Sequence, residues 1–596
     1  MRLSDYVVRS LADWGVEAAF LVAGGFALHL NDALAAEPRV RKICCHHEQG
    51  AAYAAEGYGH VAGRPALLQL TAGPGSINAM SGVFGAYTDS IPLVVVSGQG
   101  RREVIRSSYG FEGMRQICDQ EADVVAMARP ITKYAREVSS PGRVAFELEK
   151  AWHLAVSGRP GPVWLEIPLD VQAAEVEPAD LAHYRMTERP RPDARAEAAS
   201  VLAELAAARR PLVVIGPDLA PRLRPLFDET ARALGCPVVA AGAGDALLND
   251  HGLYAGRLGI LGTRAGNVAV RNADAILFLA MRPHLGLVTY AWGQMGGRAT
   301  KIVVDEDPLE FEKPCCVADR AIVCQPEHIM AELLAQAGAS GLAAGLGPWR
   351  EHCRRAVAEL DALPETMRRL DGDGAVNPYW LADTLSGLLR DDDVIVMGNS
   401  SSSVVPLQAT AFRGGQRLFS NHGNGAMGFA LPAAMGACLA SPGRRVVCLE
   451  GDGSLMMNLQ ELQTVAHHGL PLVLIVLDNG GYASIRQSQK AMAHPIGHDA
   501  ASGVSFPDLA RVAGAFGLPV ARVGGPDFAA GLEAALRARG PLVVVARLDP
   551  GQGFEPKVAS RRLPGGAMLS SPPHDMSPPL PREVMGRHLL SPGGDE

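Results

Sequence analysis

A chain of 596 residues is too long for one hydrophobic core, and three or four domains are expected of it. Charged residues make up 20%, the formal net charge is −8 and no basic run stands out, which speaks against nucleic acid as a partner. No apolar stretch approaches the ~18 residues of a membrane span, Met1 to Ser10 shows no secretory pattern, and ten scattered cysteines form no CxxC; a cytoplasmic α/β protein with no membrane partner, zinc site or disulfide framework is expected.

Leu3 to Trp14 reads as a helix, followed by a strand over Ala19 to Val22 that meets Ala23-Gly24-Gly25. His29 sits on the first loop-to-helix connection and is either an ordinary surface histidine or a proton-transfer group. A second strand, Arg41 to Cys45, runs into His46-His47-Glu48-Gln49-Gly50-Ala51 and a small-residue helix through Gly57. Glu48 thus opens a helix, where the dipole commonly stabilises a carboxylate. The strand Ala66 to Leu70 leads to Thr71-Ala72-Gly73-Pro74-Gly75-Ser76 and a helix from Asn78. That loop lacks the Lys-Ser/Thr ending of a phosphate-binding P-loop. Leu93 to Ser97 ends at Gly98-Gln99, and Val163 to Ile167 closes the first sheet. Strands punctuated by Gly-rich loops predict a doubly wound parallel sheet over residues 1–175, with a ligand at its carboxyl edge.

Glu175 to Arg195 is rich in Pro, Glu and Arg without periodicity and reads as a linker. A second α/β domain is expected over 196–336, with strands at Leu212 to Ile215, Val238 to Ala240, Ala275 to Leu279 and Lys301 to Asp305. Ala337 to Gly347 reads as a second linker, and a helix over Pro348 to Leu360 leads into a third domain, 348–555. Its first strand, Asp392 to Met397, ends at Gly398-Asn399-Ser400-Ser401-Ser402. The strand Val446 to Leu449 ends at Gly451-Asp452-Gly453, with a helix start expected near Ser454 or Leu455 and helical spacing from Asn458 to Gly469. A second buried run, Leu472 to Leu477, stops at Asp478-Asn479-Gly480-Gly481. Strand-helix-strand of this length is a parallel crossover, so Asp452 and Asn479 finish on one edge of the sheet. Either motif alone would be an ordinary tight turn. Together, a carboxylate, an amide oxygen and a backbone carbonyl from Gly480-Gly481 suit a hard cation that takes its other ligands from phosphate and water. The tail, 556–596, is Pro-rich and is either a cap over the site or disordered.

Gly451-Asp452-Gly453 followed by the Asn479 position resembles the thiamine diphosphate motif, and ELQT, LP and GGY..IRQ around it resemble the acetohydroxyacid (acetolactate) synthase branch. The resemblance covers residues 1 to about 555. It implies that Asp452, Asn479 and the Gly481 carbonyl hold Mg²⁺ against the cofactor diphosphate, with Gly451, Gly453 and Ser454 beside them. HEQGA resembles the activating-glutamate motif, which makes Glu48 the partner of the aminopyrimidine N1′. Thr71 and Gly73 match a loop near the aminopyrimidine given by another subunit, and Gln99 a glutamine facing the reacting centre. Asn399, Ser400 and Ser401 match the diphosphate loop, where the family often has Gly-Gln-His. Gly425 lies beside Met427, which matches the apolar wedge between the cofactor rings; Tyr482 and Ile485 match the cavity wall above the thiazolium.

In these synthases the central domain binds a non-redox FAD. Gly259 to Ala265 and Arg282 match that pattern, whereas His284, Leu285 and Gly286-Leu287 replace an acidic pair and a second arginine, which leaves FAD open. Ser488 stands where the biosynthetic enzymes carry a tryptophan. SSYGFEGMRQ and FEPK…DMSPPLPRE resemble carboligases linked to sugar and specialised-metabolite biosynthesis. The expected activity is decarboxylation of a 2-keto acid, pyruvate first among candidates, with transfer of the acyl unit to a carbonyl acceptor. The alternative is a lyase or decarboxylase that releases an aldehyde. A homodimer or homotetramer is implied, because the family builds the site from two subunits.

Overall fold

The apolar strands assemble into three six-stranded sheets in the computed structural model, which describes residues 1–111, 113–186, 193–490, 492–565 and 568–590. The first sheet comprises β1 (Ala18–Leu21), β2 (Arg41–Cys44), β3 (Ala66–Leu70), β4 (Leu93–Gln99), β5 (Tyr134–Glu137) and β6 (Pro162–Pro168), in the order β2-β1-β3-β4-β6-β5. The central sheet comprises β7 (Pro211–Ile215), β8 (Val238–Ala241), β9 (Tyr254–Leu258), β10 (Ala275–Leu279), β11 (Thr300–Asp305) and β12 (Arg320–Val323), in the order β12-β11-β10-β7-β8-β9. The third comprises β13 (Val394–Met397), β14 (Arg417–Ser420), β15 (Val446–Gly451), β16 (Leu472–Asp478), β17 (Val520–Val523) and β18 (Leu542–Arg547), ordered β14-β13-β15-β16-β18-β17. Pairing within these sheets is parallel. Strands such as β4, β6 and β10 are buried along their whole length, as helices on both faces require. The first and third sheets share one order, so each has its switch point beside its first strand, where neighbouring loops part to opposite faces and leave a crevice.

Several expectations shift. Val163 to Ile167 does not close the first sheet: β6 lies inside it, and β5 forms the edge. The helix expected from Asn78 begins at Pro74. The stretch read as a second linker continues the helix Pro326–Ser340 and a short turn at Leu342–Gly345. The helix Gly347–Leu360 packs through Ala356 and Leu360 on the central-domain helix Arg264–Asn272. After β15 there is one turn, Asp452–Leu455, and the helix proper runs only over Glu461–His468. Residues 187–192 of the Glu175–Arg195 linker lie outside the described residues.

The first and third domains are joined by a helix crossing without intervening side chains. Helix Glu48–Ala62 meets helix Ala430–Ala440 so closely that a Cβ on Gly57 would lie 2.2 Å from the Ala433 carbonyl oxygen, and one on Gly436 1.9 Å from that of Ala54. The tail is ordered on the central domain, not a free segment. Gln408 donates to the carbonyls of Leu261, Gly262 and Pro556 (3.1, 3.0 and 2.7 Å), and Arg264 donates to that of Met576 (3.0 Å). A final helix, Arg582–His588, seats the buried His588 against Glu359, while Asn272 donates to the His588 carbonyl (2.6 Å). Residues 566–567 and 591–596 of the tail lie outside the described residues. No helix of the described residues is long and apolar enough to cross a membrane.

Candidate active site

β15 and β16 are paired in register, Gly451 opposite Leu477, so Asp452 and Asn479 leave adjacent strands at the carboxyl edge. Asp452 is 1% exposed; its Oδ1 accepts from the Gly453 N–H (2.7 Å) and its Oδ2 from the Gly481 N–H (2.8 Å). Burial pushes its carboxyl up to about 6, against those hydrogen bonds. Asn479 is also buried, and its Oδ1 has no hydrogen-bond partner among the described residues. An unpaired buried amide oxygen and a desolvated carboxylate side by side are costly unless something cationic meets them. These residues therefore fit a hard-cation site. Gly481 lies at φ +144° with the His498 carbonyl oxygen only 2.1 Å from where a Cβ would stand, so the loop closes only with glycine there.

The loops around the clamp are ordered by their own hydrogen bonds. The Tyr482 ring lies on Gly453, where a Cβ would come 2.3 Å from the ring, and it packs edge-on against Phe506. Ser454 accepts from the Gly428 N–H (2.8 Å) and donates to the buried Glu450, whose carboxyl burial pushes up to about 7. Asn399 donates to the Gly425 carbonyl (3.1 Å), and Ser400, at φ +58°, shares a hydrogen bond with Ser484. Ser401 begins the helix Ser401–Ala409. Gly425 is exposed at φ +63°, and Met427 and Ile485 are half-buried, so the loop beside the crevice presents Met427 as a partly open apolar surface.

In the first domain Glu48 is the first residue of helix Glu48–Ala62, and His47 caps the helix by accepting from the Gln49 N–H (3.1 Å). The Glu48 carboxylate is 9% exposed and accepts from Asn78 (3.0 Å). It faces Gly75, where a Cβ would be 2.8 Å from both Glu48 Oε1 and the Thr71 methyl. The Thr71 hydroxyl is buried and unpaired among the described residues, and Gly73 leaves only 1.7 Å between a Cβ and the Gln120 carbonyl oxygen. Glu48, Thr71 and Gly73 thus share one corner. Gln99, at the end of β4, donates its amide to Glu166 and to the Ala122 carbonyl (3.2 Å each) and accepts from the Gly100 N–H (2.9 Å). His29 is half-buried near the start of helix Leu28–Ala36.

One residue that sequence reading left unassigned links the two halves. Glu461 accepts at Oε1 from the N–H groups of His46 and His47 (3.1 Å each) and at Oε2 from Thr464 (2.6 Å). Asn458 adds bonds to Gln49 (3.1 Å) and to the Gly428 carbonyl (2.8 Å). The start of the Glu48 helix is therefore held by a carboxylate 413 positions further along the chain, a pairing that no local signal reveals. No hydrogen bond or ion pair joins Glu48 to Asp452 or Asn479 among the described residues. A separate cavity of about 500 Å³, lined by Asp89, Asp218, Arg282, His284 and His422, sits where the three domains meet and includes none of these groups.

Three family models match in chain order: the N-terminal binding domain of thiamine pyrophosphate enzymes over residues 1–127, their central domain over 198–360 and their C-terminal binding domain over 398–546. The acetolactate synthase isozyme 2 large subunit of Escherichia coli (strain K12) is 32% identical over 94% of this chain and 97% of its own length. The isozyme 3 large subunit from the same organism is 31% identical, covering 86% and 88%. Acetolactate synthase 3 (chloroplastic) of Brassica napus is 30% identical, covering 87% and 79%. Matches of this breadth, on a chain that carries paired strand ends of the GDG and NGG type, place it among the thiamine pyrophosphate enzymes, in the acetolactate synthase family.

Proposed function

We propose that the chain is a carboligase that decarboxylates a 2-keto acid, pyruvate in the first instance, and passes the acyl unit to a carbonyl acceptor. The observation that carries the site assignment is the unpaired, buried Asn479 oxygen beside Asp452. Asp452, Asn479 and the Gly481 carbonyl would hold Mg²⁺, which would neutralise a bound diphosphate. Asn399, Ser400, Ser401, Gly425, Gly451, Gly453 and Ser454 would hold the diphosphate. Bound there, thiamine diphosphate supplies the electron sink that decarboxylation and acyl transfer require.

Glu48 is the catalytic acid–base group, positioned by Asn78 and by the Glu461 brace to hold a proton at the aminopyrimidine N1′. Met427 would pack against the rings of a bound cofactor, and Tyr482 and Ile485 would wall the cavity, excluding water that would divert the acyl unit to free aldehyde. Ser488 is exposed and donates to the Ile485 carbonyl (3.0 Å), so that side of the cleft is open to an acceptor bulkier than pyruvate. Gln99, paired to Glu166, steadies the carboxyl end of β4 in this conformation, and His29, on helix Leu28–Ala36, is assigned to proton transfer.

The site is completed by a second copy of the chain. Helix Pro74–Thr88, next to Thr71 and Gly73, exposes Ile77, Phe84 and Tyr87, and the clamp turn exposes Met456 and Met457. Apolar surface of this kind marks a contact face. The test is incubation with pyruvate, thiamine diphosphate and Mg²⁺, with carbon dioxide and all carbon products followed by mass spectrometry. Acetolactate, or carbon dioxide release that accelerates when an aldehyde or keto-sugar is added, supports ligation. Stoichiometric free acetaldehyde with every acceptor refutes it.

A further inference from the structure

The synthase resemblance places an FAD in the central domain, and the residues there do not fit one. A dinucleotide on a sheet ordered β12-β11-β10-β7-β8-β9 lies across the switch point between β7 and β10, its diphosphate on the N–H groups of the first turn. Here that turn reads Gly216-Pro217-Asp218-Leu219-Ala220-Pro221. The two prolines carry no N–H, the Gly216 N–H is spent on the Leu279 carbonyl (2.9 Å) and that of Asp218 on the Ala280 carbonyl (3.3 Å), which leaves only those of Leu219 and Ala220 beside the Asp218 carboxylate. The Asp218 carboxylate, buried within the turn, accepts twice from the Arg282 guanidinium (2.9 Å each) and once from the Arg282 N–H (3.4 Å), and lies 3.9 Å from Arg159. Burial works to raise its pKa, but Arg282 and Arg159 hold it below the ordinary carboxylate value, so it stays anionic. A diphosphate would meet a fixed negative charge whose cations are already paired.

The second point of resemblance, Gly259 to Ala265, is closed in the same way. The Gly259 N–H donates to Asn267 (3.2 Å), that of Ile260 to the Gly286 carbonyl (2.9 Å) and that of Thr263 to the Arg257 carbonyl (2.9 Å). At the start of helix Arg264–Asn272 the Thr263 hydroxyl accepts from the Gly266 N–H (3.2 Å), and Asp361 accepts from the Ala265 N–H (2.9 Å). A carboxylate of the chain itself therefore occupies the natural anion site.

We infer that this enzyme retains no flavin, and that Arg159, paired with Asp305 and 3.9 Å from the Arg282-bound Asp218, holds the first domain to the central one in its place. Arg159 comes from the loop before β6, and Asp305 grips it with both oxygens (2.5 and 2.6 Å). The same cross-domain contact brings Arg159 to within 3.3 Å of the Ser90 hydroxyl. This inference does not rest on the proposed substrate, and its readout is flavin, not turnover.

The test uses the full chain with thiamine diphosphate and Mg²⁺. Flavin released by acid is measured by fluorescence, and FAD is then titrated into the folded enzyme while its fluorescence and the protein Tm are followed. The expected result is no stoichiometric flavin, a strictly linear fluorescence rise and an unchanged Tm; a saturable quench or a Tm that climbs with FAD by mass action overturns the inference. Arg159→Met, and Asp305→Asn as a second variant should the first not fold, are expected to lower the Tm equally with and without FAD. Recovery of the Tm on adding FAD, or a wild-type Tm in both variants, overturns the ion-pair strut.

Discussion

Replacing Glu461 with alanine tests how the catalytic corner is held. The substitution removes the acceptor for the His46 and His47 N–H groups and for the Thr464 hydroxyl. An unsatisfied backbone donor costs ~1–3 kcal/mol, and these two lie at the lower end because the site is only part-buried. The desolvation that raises the Glu461 carboxyl pKa is relieved at the same time, which limits the loss. A net local destabilisation of about 2 kcal/mol follows, or ~30-fold in the opening equilibrium of the helix start. Hydrogen exchange of a peptide spanning 45–52 should accelerate by about that factor, and Glu461→Gln, which keeps an acceptor oxygen, should fall between. Turnover should drop with exchange while the far side of the central sheet is unaffected. Wild-type exchange across 45–52 in the alanine variant would refute the brace.

Glu48→Gln should leave cofactor affinity near wild type but slow H/D exchange at the thiazolium carbon by ~10²–10⁴, read by NMR after acid quench; normal exchange would remove Glu48 from its role. Asp452→Ala and Asn479→Ala should each abolish Mg²⁺-dependent retention of thiamine diphosphate on gel filtration, an outcome that unchanged retention would contradict. Gly436→Ala forces a Cβ into the Ala54 carbonyl and should lower the Tm by the equivalent of ~1–3 kcal/mol, measured by calorimetry. Burial lifts the Asp89 carboxyl from 3.8 to about 7, so the folded chain keeps a proton that the unfolded chain releases. That stabilisation is complete below the unfolded value and is lost as pH rises through about 7. Asp89→Asn should therefore flatten the decline of Tm between pH ~4 and ~7, and an unaltered slope would count against it.

The clamp was legible in the chain because its parts are local: an apolar strand, a turn, and a second strand whose length dictates a parallel crossover. Five edge strands were less so. Tyr134–Glu137, Tyr254–Leu258, Arg320–Val323, Arg417–Ser420 and Val520–Val523 are short and all five contain arginine, so they break the continuous apolar signature of buried parallel strands. The Gly/Ala-rich stretch after 336 read as a linker because composition alone does not separate a small-residue helix from a flexible segment. Glu461 and Asn78 were invisible for another reason: their partners are set by tertiary packing, 413 and 30 positions away from Glu48. The tail's Pro-rich composition likewise concealed that His588 inserts between Glu359 and His352, since burial of its imidazole depends on a helix more than two hundred residues upstream.

The glycine crossing of helices Glu48–Ala62 and Ala430–Ala440 also constrains how the enzyme can move. Backbone lies directly on backbone there, and a close-packed contact of that kind offers no rotamers to re-seat after a sliding step. The first and third domains of one chain must then travel as a single rigid lever. Opening of the site for substrate entry and product exit has to come from segments with little buried anchorage. Tyr109, Phe111, Met114 and Ile117 on the loop after β4, and Met492 and Ile496 beyond the clamp, stand exposed on two such segments. The helix that carries Glu48 therefore offers no hinge between the first and third domains.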